Sequence, residues 1–148
     1  MLLVDANFQS PGLRLAFPEC GASVDFQSLL NNPEPLKDMT PMSEVPNLTV
    51  VPCCEAGDGG MLDPSGLSRF NAEAKACYDG VIYDAGSLAQ AGTEVFMQLI
   101  GKCLCVVKSR DNKDELQQDV ERHSAVCIGY VANDYEAADK SACLNNDA

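Results

Sequence analysis

Short apolar runs alternate along this chain with longer stretches whose hydrophobic residues recur every three or four positions. That alternation predicts an architecture before any side-chain chemistry is considered. The runs Leu2–Val4, Leu48–Val51, Val81–Tyr83, Cys103–Val107 and Val126–Val131 are brief, continuous and rich in β-branched residues, the pattern of parallel strands buried on both faces. Between them, Val24–Asn31, Leu67–Cys77, Thr93–Ile100 and Asp111–His123 read as helices. The last has Asp111 as its predicted N-cap, Asp114 and Glu115 in its first turn, and Leu116 and Val120 on one face. Strands and helices alternating at this spacing predict an α/β fold, a doubly wound, mainly parallel sheet with flanking helices. Residues 32–47, with four prolines, and the Gly57–Gly60 segment read as loops, and from about Asp134 the chain is polar, acidic and without period.

Composition narrows the class. A chain of 148 residues, 46% hydrophobic, is enough for one domain around one core. A formal charge of -12 argues against partners held through phosphate neutralisation, so neither nucleic acid nor an anionic membrane surface is expected. No apolar run approaches the roughly 20 residues of a membrane span, and no secretory leader pattern opens the sequence. A cytoplasmic protein without direct membrane insertion is the expectation. The eight cysteines mostly sit in apolar surroundings, as in Cys103-Leu104-Cys105-Val106, and read as reduced thiols acting as small hydrophobes. Their spacings, adjacent at Cys53-Cys54 and alternating at Cys103 and Cys105 on one strand face, do not match the doubled pairs of a structural zinc site.

In an open parallel sheet, ligands collect beyond the carboxyl ends of the strands. Asp5, Asp84 and Asn133 stand there, after the first, third and last predicted strands. Two carboxylates at neighbouring strand ends supply the hard oxygen ligands that a magnesium-phosphate site needs, directly or through water. A single strand-terminal Asp is as often a cap or turn residue, and that alternative stays open for each. His123, the only histidine, falls at a predicted helix C-terminus where it meets the last carbonyls. Ser10 and Ser87 have no histidine in a matching motif, so a Ser-His hydrolase lacks support.

The ordered series of motifs resembles a family. Met1-Leu-Leu-Val-Asp-Ala-Asn-Phe-Gln-Ser-Pro-Gly-Leu13 resembles the second Walker-type motif of the bacterial tyrosine kinases, the exopolysaccharide-associated relatives of the MinD and ParA P-loop ATPases. Val45-Pro-Asn-Leu-Thr-Val-Val-Pro52 resembles their next strand, and Leu62-Asp-Pro-Ser-Gly-Leu-Ser-Arg-Phe70 their connecting helix. Tyr78-Asp-Gly-Val-Ile-Tyr-Asp84 is similar to their Walker B strand and Ile128-Gly-Tyr-Val-Ala-Asn133 to their final strand. The similarity covers residues 1–136 and leaves 137–148 as an acidic polar tail.

The resemblance implies a Mg-ATP site with Asp5 and Asp84 as catalytic and magnesium-holding carboxylates, the latter through water. Asn7 and Pro11 would lie at the nucleotide and Asn133 at the base. The implied reaction is transfer of the ATP γ-phosphoryl group to tyrosine in polysaccharide export complexes. Departures bear on that expectation. The family's phosphate loop lies roughly 30 residues before the position of Asp5, whereas four residues precede it in this sequence. Gln9 and Ser10 replace basic residues, Ala85-Gly86-Ser87 replaces the usual Thr-Pro-Pro, and the C-terminal tyrosine cluster is missing. These features predict a truncated or degenerate kinase domain, weak or inactive in ATP binding alone, whose partners are a polysaccharide-export membrane protein, a chain supplying the missing segment, or a second copy. The alternative is a catalytically silent ATPase-like adaptor acting through protein contacts.

Overall fold

The computed structural model describes residues 1–18, 25–32, 34–39, 45–53, 62–90, 92–108 and 111–133. The predicted Gly57–Gly60 loop and the polar tail lie outside them. The elements in chain order are β1 (Leu2–Asp5), α1 (Leu13–Ala16), α2 (Phe26–Asn31), a 3-10 turn (Leu36–Asp38), β2 (Thr49–Val51), α3 (Pro64–Cys77), β3 (Val81–Asp84), α4 (Thr93–Ile100), β4 (Lys102–Val107), α5 (Lys113–Arg122) and β5 (Val126–Ala132). The chain divides into two compact units, Met1–Leu99 and Ile100–Ala148.

In the first unit β1 is the central strand of a parallel sheet ordered β2-β1-β3. Leu2, Leu3 and Val4 pair with Thr49, Val50 and Val51 on one side, and Leu2 to Asp5 pair with Val81 to Asp84 on the other. Alternation sends Leu2 and Val4, with Val51, Val81 and Tyr83, to one face, where Phe26, Leu29 and Leu30 of α2 and Leu67, Phe70 and Ala74 of α3 cover them. Phe26 is fully buried at the middle of this layer, its ring 5.0 Å edge-on from Phe70, 5.8 Å stacked on Phe8, and 6.2 to 6.3 Å from Phe96 and Tyr83. Each large side chain taken wholly out of water there contributes about 1.5–3 kcal/mol.

The helices of this layer start where side chains satisfy their first amides. Asp25 caps α2 by accepting from the Ser28 N–H at 3.1 Å. Asp63 caps α3, its carboxylate accepting from the N–H groups of Ser65 and Gly66 at 3.0 Å each, with Pro64 in the first turn. The two helices cross closely at Gly66, where an added Cβ would stand 2.8 Å from the Leu30 carbonyl oxygen. That oxygen also accepts from Arg69 Nη2 at 2.6 Å.

Among the described residues, the opposite face of the same sheet is thinly covered. Leu3, Leu48 and Val50 meet Leu13 and Phe17, which flank the single turn α1, while Ile82 in the middle of β3 is 51% exposed. Among the described residues β3 pairs with β1 alone.

The second unit is a parallel pair, β4-β5, with α5 against β5. Cys105, Val107, Val120 and Ala125 are buried, whereas Leu104, Val106, Val126, Ile128 and Val131 are exposed. Cys103 pairs with Cys127 but Leu104 pairs with Gly129, so Ile128 is an extra residue, a β-bulge in β5.

Several sequence expectations need correction. The apolar runs predict burial on both faces, but β3, β4 and β5 alternate between covered and exposed positions. The N-cap of α5 is Asn112, which accepts from the Asp114 N–H at 3.1 Å, rather than Asp111, whose carboxylate instead takes the Lys108 N–H at 2.7 Å. Helix α3 begins at Pro64, before the predicted Leu67, because Asp63 supplies a cap that apolar periodicity does not register. The proline-rich loop contains a 3-10 turn after Pro35 that buries Leu36, and α1 follows the first strand without having been anticipated.

Candidate functional site

The carboxyl ends of β1 and β3 lie side by side. Parallel pairing places Asp5 directly opposite Asp84, and the chain beyond β1 continues the ladder, with the Ala6 N–H donating to the Asp84 carbonyl at 2.9 Å. The segment after β1 is fastened to the core by Phe8 stacking on Phe26.

The two carboxylates then do different things. Asp5 is fully buried; its Oδ1 accepts from the Asn7 N–H at 3.2 Å and its Oδ2 from the N–H groups of Gly12 and Leu13, each at 3.0 Å. Three of the roughly four lone-pair positions of a carboxylate are therefore engaged by its own loop. Asp84 is exposed, and one of its oxygens accepts a long 3.3 Å bond from the Gly86 N–H. The carboxylate turned to solvent is the one with coordination capacity to spare.

Loops from the two strands interlock just beyond. Asn7 is half-buried, its amide oxygen accepting from the Ser10 N–H at 3.1 Å. Gly86, at φ +70, approaches Asn7 so closely that an added Cβ would stand 2.8 Å from Asn7 Cγ and 2.5 Å from Gln90 Oε1. Only a residue without a side chain reconciles that backbone with that contact. The Thr93 hydroxyl at the start of α4 bonds to the carbonyls of Ala85 at 3.2 Å and Ser87 at 3.0 Å, which fixes the turn. Tyr83, beneath it, donates to Asn71 Oδ1 at 3.2 Å, and burial pushes its phenol well above the ordinary tyrosine range, so it is a neutral hydrogen-bond donor.

Pro11 is half-buried in the same loop as Asn7. The structure therefore brings Asp5, Asn7, Pro11 and Asp84 into one unit at one end of one sheet. Asn133 belongs to the second unit; it is exposed just past β5, where its N–H donates to the Val107 carbonyl at 2.7 Å. His123 is the C-cap of α5, as the sequence suggests. Sequence reasoning missed Gly86, Gln90 and Thr93 as organisers of the site, although Asp84-Ala85-Gly86 carries the Asp-x-Gly composition of a turn requiring positive φ.

Water-bridged magnesium suits Asp84 as it stands, since an exposed carboxylate with an open oxygen is the hard ligand such an ion selects. Asp5, folded onto three amides, orders the loop that faces the same end of the sheet.

Neither protein-family models nor curated proteins give a match to this sequence. Solved structures do. The VpsO kinase domain superposes with a TM-score of 0.77 at 18% identity, over 91% of this chain and 70% of that one. The chimerical protein CapA2B2 gives 0.72 at 21% identity, over 90% of this chain and 62% of that one. The septum site-determining protein MinD from Pyrococcus horikoshii OT3, complexed with Mg-ADP, gives 0.67 at 16% identity, over 93% of this chain and 59% of that one. The fold is thus the doubly wound α/β arrangement of these three structures.

Proposed function

We propose that this chain carries the distal, carboxylate-bearing part of a Mg-ATP site of the bacterial tyrosine-kinase type. The observation that carries the proposal is the pairing of Asp5 with Asp84 at the ends of adjacent parallel strands, with the loops beyond them locked together through Asn7 and Gly86. Asp84 would hold magnesium through water, and Asp5 would act behind it by ordering the loop that carries Asn7 and Pro11. Bound magnesium would neutralise phosphate charge during transfer. Residues 1–148 contain no Gly-Lys-Ser/Thr motif, so the grip on the phosphates is assigned to residues other than these. The edge of β3 that no described strand pairs, and the exposed Ile82, support that division of labour. Under this reading the partners are the chain that supplies the phosphate grip, a second copy, or the polysaccharide-export membrane protein that the family resemblance implies.

Calorimetric titration with ATP, with and without magnesium, tests it. Residues 1–148 are expected to bind weakly and only with magnesium, and Asp84→Asn to abolish that binding while leaving the melting temperature unchanged. Binding indifferent to both magnesium and Asp84→Asn would overturn the site. A dissociation constant near 1 μM, about -8 kcal/mol, would remove the need for a second segment.

A second reading, the catalytically silent adaptor, is favoured by one observation: the Asp5 carboxylate is consumed by its own backbone. It predicts no magnesium-dependent nucleotide binding even when a phosphate-loop segment is supplied in trans or by N-terminal fusion.

A further inference from the structure

Three cysteine side chains converge in the second unit. Cys103 and Cys105 are two residues apart on β4 and face the same way, and parallel pairing sets Cys127 of β5 opposite Cys103. The Cys105 sulfur lies 3.9 Å from that of Cys103 and 3.7 Å from that of Cys127. All three sulfurs fall within 4.8 Å of one another, and among the described residues this is the one such gathering of potential metal ligands.

The bulge at Ile128 contributes to this geometry. It shifts the register after Cys127 so that Tyr130, rather than Gly129, stands opposite Cys105. The Tyr130 hydroxyl is held by Gln117 Oε1 at 3.0 Å. Cys105 is buried at the base of the cluster, while Cys103 and Cys127 are half-buried and leave a way in.

The two separations from Cys105 match those of a coordination sphere. Around a tetrahedral ion with zinc–sulfur bonds of about 2.3 Å, sulfurs stand about 3.8 Å apart. Sulfurs in plain van der Waals contact stand at similar distances, so what singles this cluster out is that three thiols converge on one partly open face.

We propose that Cys103, Cys105 and Cys127 bind one soft, thiophilic d10 cation, zinc(II) or copper(I). Three thiolates bind copper(I) as a trigonal set, or zinc(II) with its fourth position left to water, and softness favours these ions over magnesium. As the ion enters, each thiol releases its proton to solvent and no electron is transferred. The site is independent of the nucleotide reading, and either can fail without the other.

The test uses the full chain, reduced and handled without oxygen. Titration with cobalt(II) as a spectroscopic probe is expected to saturate at one equivalent, with sulfur-to-metal charge-transfer absorption in the near ultraviolet. Zinc(II) and copper(I), added separately, should each displace it, and the ion that does so at lower free concentration identifies the preferred occupant. Cys105→Ser should remove the absorption and Cys77→Ser, at the exposed end of α3, should leave it intact. Should Cys105→Ser fail to fold, alkylation of the unsubstituted protein decides: metal is expected to protect Cys103, Cys105 and Cys127 and leave Cys77 reactive. Absence of stoichiometric uptake, protection that maps elsewhere, or thiols that only close to a disulfide in air would each overturn the site.

Discussion

The two faces of the β2-β1-β3 sheet are built from the same strands and held by different physics. On one, Leu2, Val4 and Val51 disappear, and Tyr83 packs half-buried, beneath two capped helices and a cluster of aromatic rings centred on Phe26. On the other, the cover among the described residues is a single turn, α1, whose entry is gripped by one carboxylate: Asp5 takes the Gly12 and Leu13 amides, and Leu13 and Phe17 lie over Leu3, Leu48 and Val50. Hydrophobic burial is non-directional and summed over many contacts. A buried acceptor holding three amides is directional and concentrated in one residue. The packed face therefore supplies stability, and the gripped face sets the shape of the loop next to the candidate site.

Substitutions separate these contributions, starting with the largest. Phe26→Ala on the packed face is expected to cost about 3–5 kcal/mol in urea denaturation. A loss below about 1 kcal/mol would mean that the aromatic layer does not carry the unit's stability. Asp5→Ala should cost about 2 kcal/mol, because buried amides lose their acceptor. Its signature is faster hydrogen exchange at Asn7, Gly12 and Leu13, with α2 and α3 unchanged; uniform acceleration across the unit would erase the distinction between the faces.

A pH profile sharpens the comparison from the packed side. The Asp63 carboxyl is held below the ordinary value of 3.8, first by the Ser65 hydroxyl and then by the Ser65 and Gly66 amides. Its folded value is thus lower than its unfolded one, so its stabilisation is complete above 3.8 and is lost as pH falls through the folded value. Asp63→Asn keeps the cap and should flatten that part of the acid melting profile; an unchanged profile would deny Asp63 the role. The smallest effect is expected at Ile82→Thr on the thinly covered face, within about 0.5 kcal/mol. A larger loss would show that a partner covers Ile82 in solution.

The strands and the two acidic strand ends were legible because continuous apolar runs closed by Asp at residues 5 and 84 are local signals. What the carboxylates touch was not. The acceptors' partners are backbone amides up to eight residues on, and no side-chain pattern encodes an amide's direction. The cap of α5 fell one residue from its predicted place because Asp111 and Asn112 are chemically equivalent candidates, and the loop bond from Lys108 decides between them. The sulfur cluster was out of reach for another reason. It depends on pairing β4 with β5 and on one extra residue at Ile128, and both are properties of the sheet rather than of either strand.

The tight crossing at Gly66 has a consequence for finding relatives of this chain. With the Leu30 carbonyl oxygen 2.8 Å from where a β-carbon would sit, any descendant that keeps the α2 to α3 approach must keep a glycine three residues after its capping acid. The spaced signature Asp63-Pro64-Ser65-Gly66, with Arg69 one turn on, can serve as a fingerprint for fishing distant homologues from genomes where overall similarity has faded.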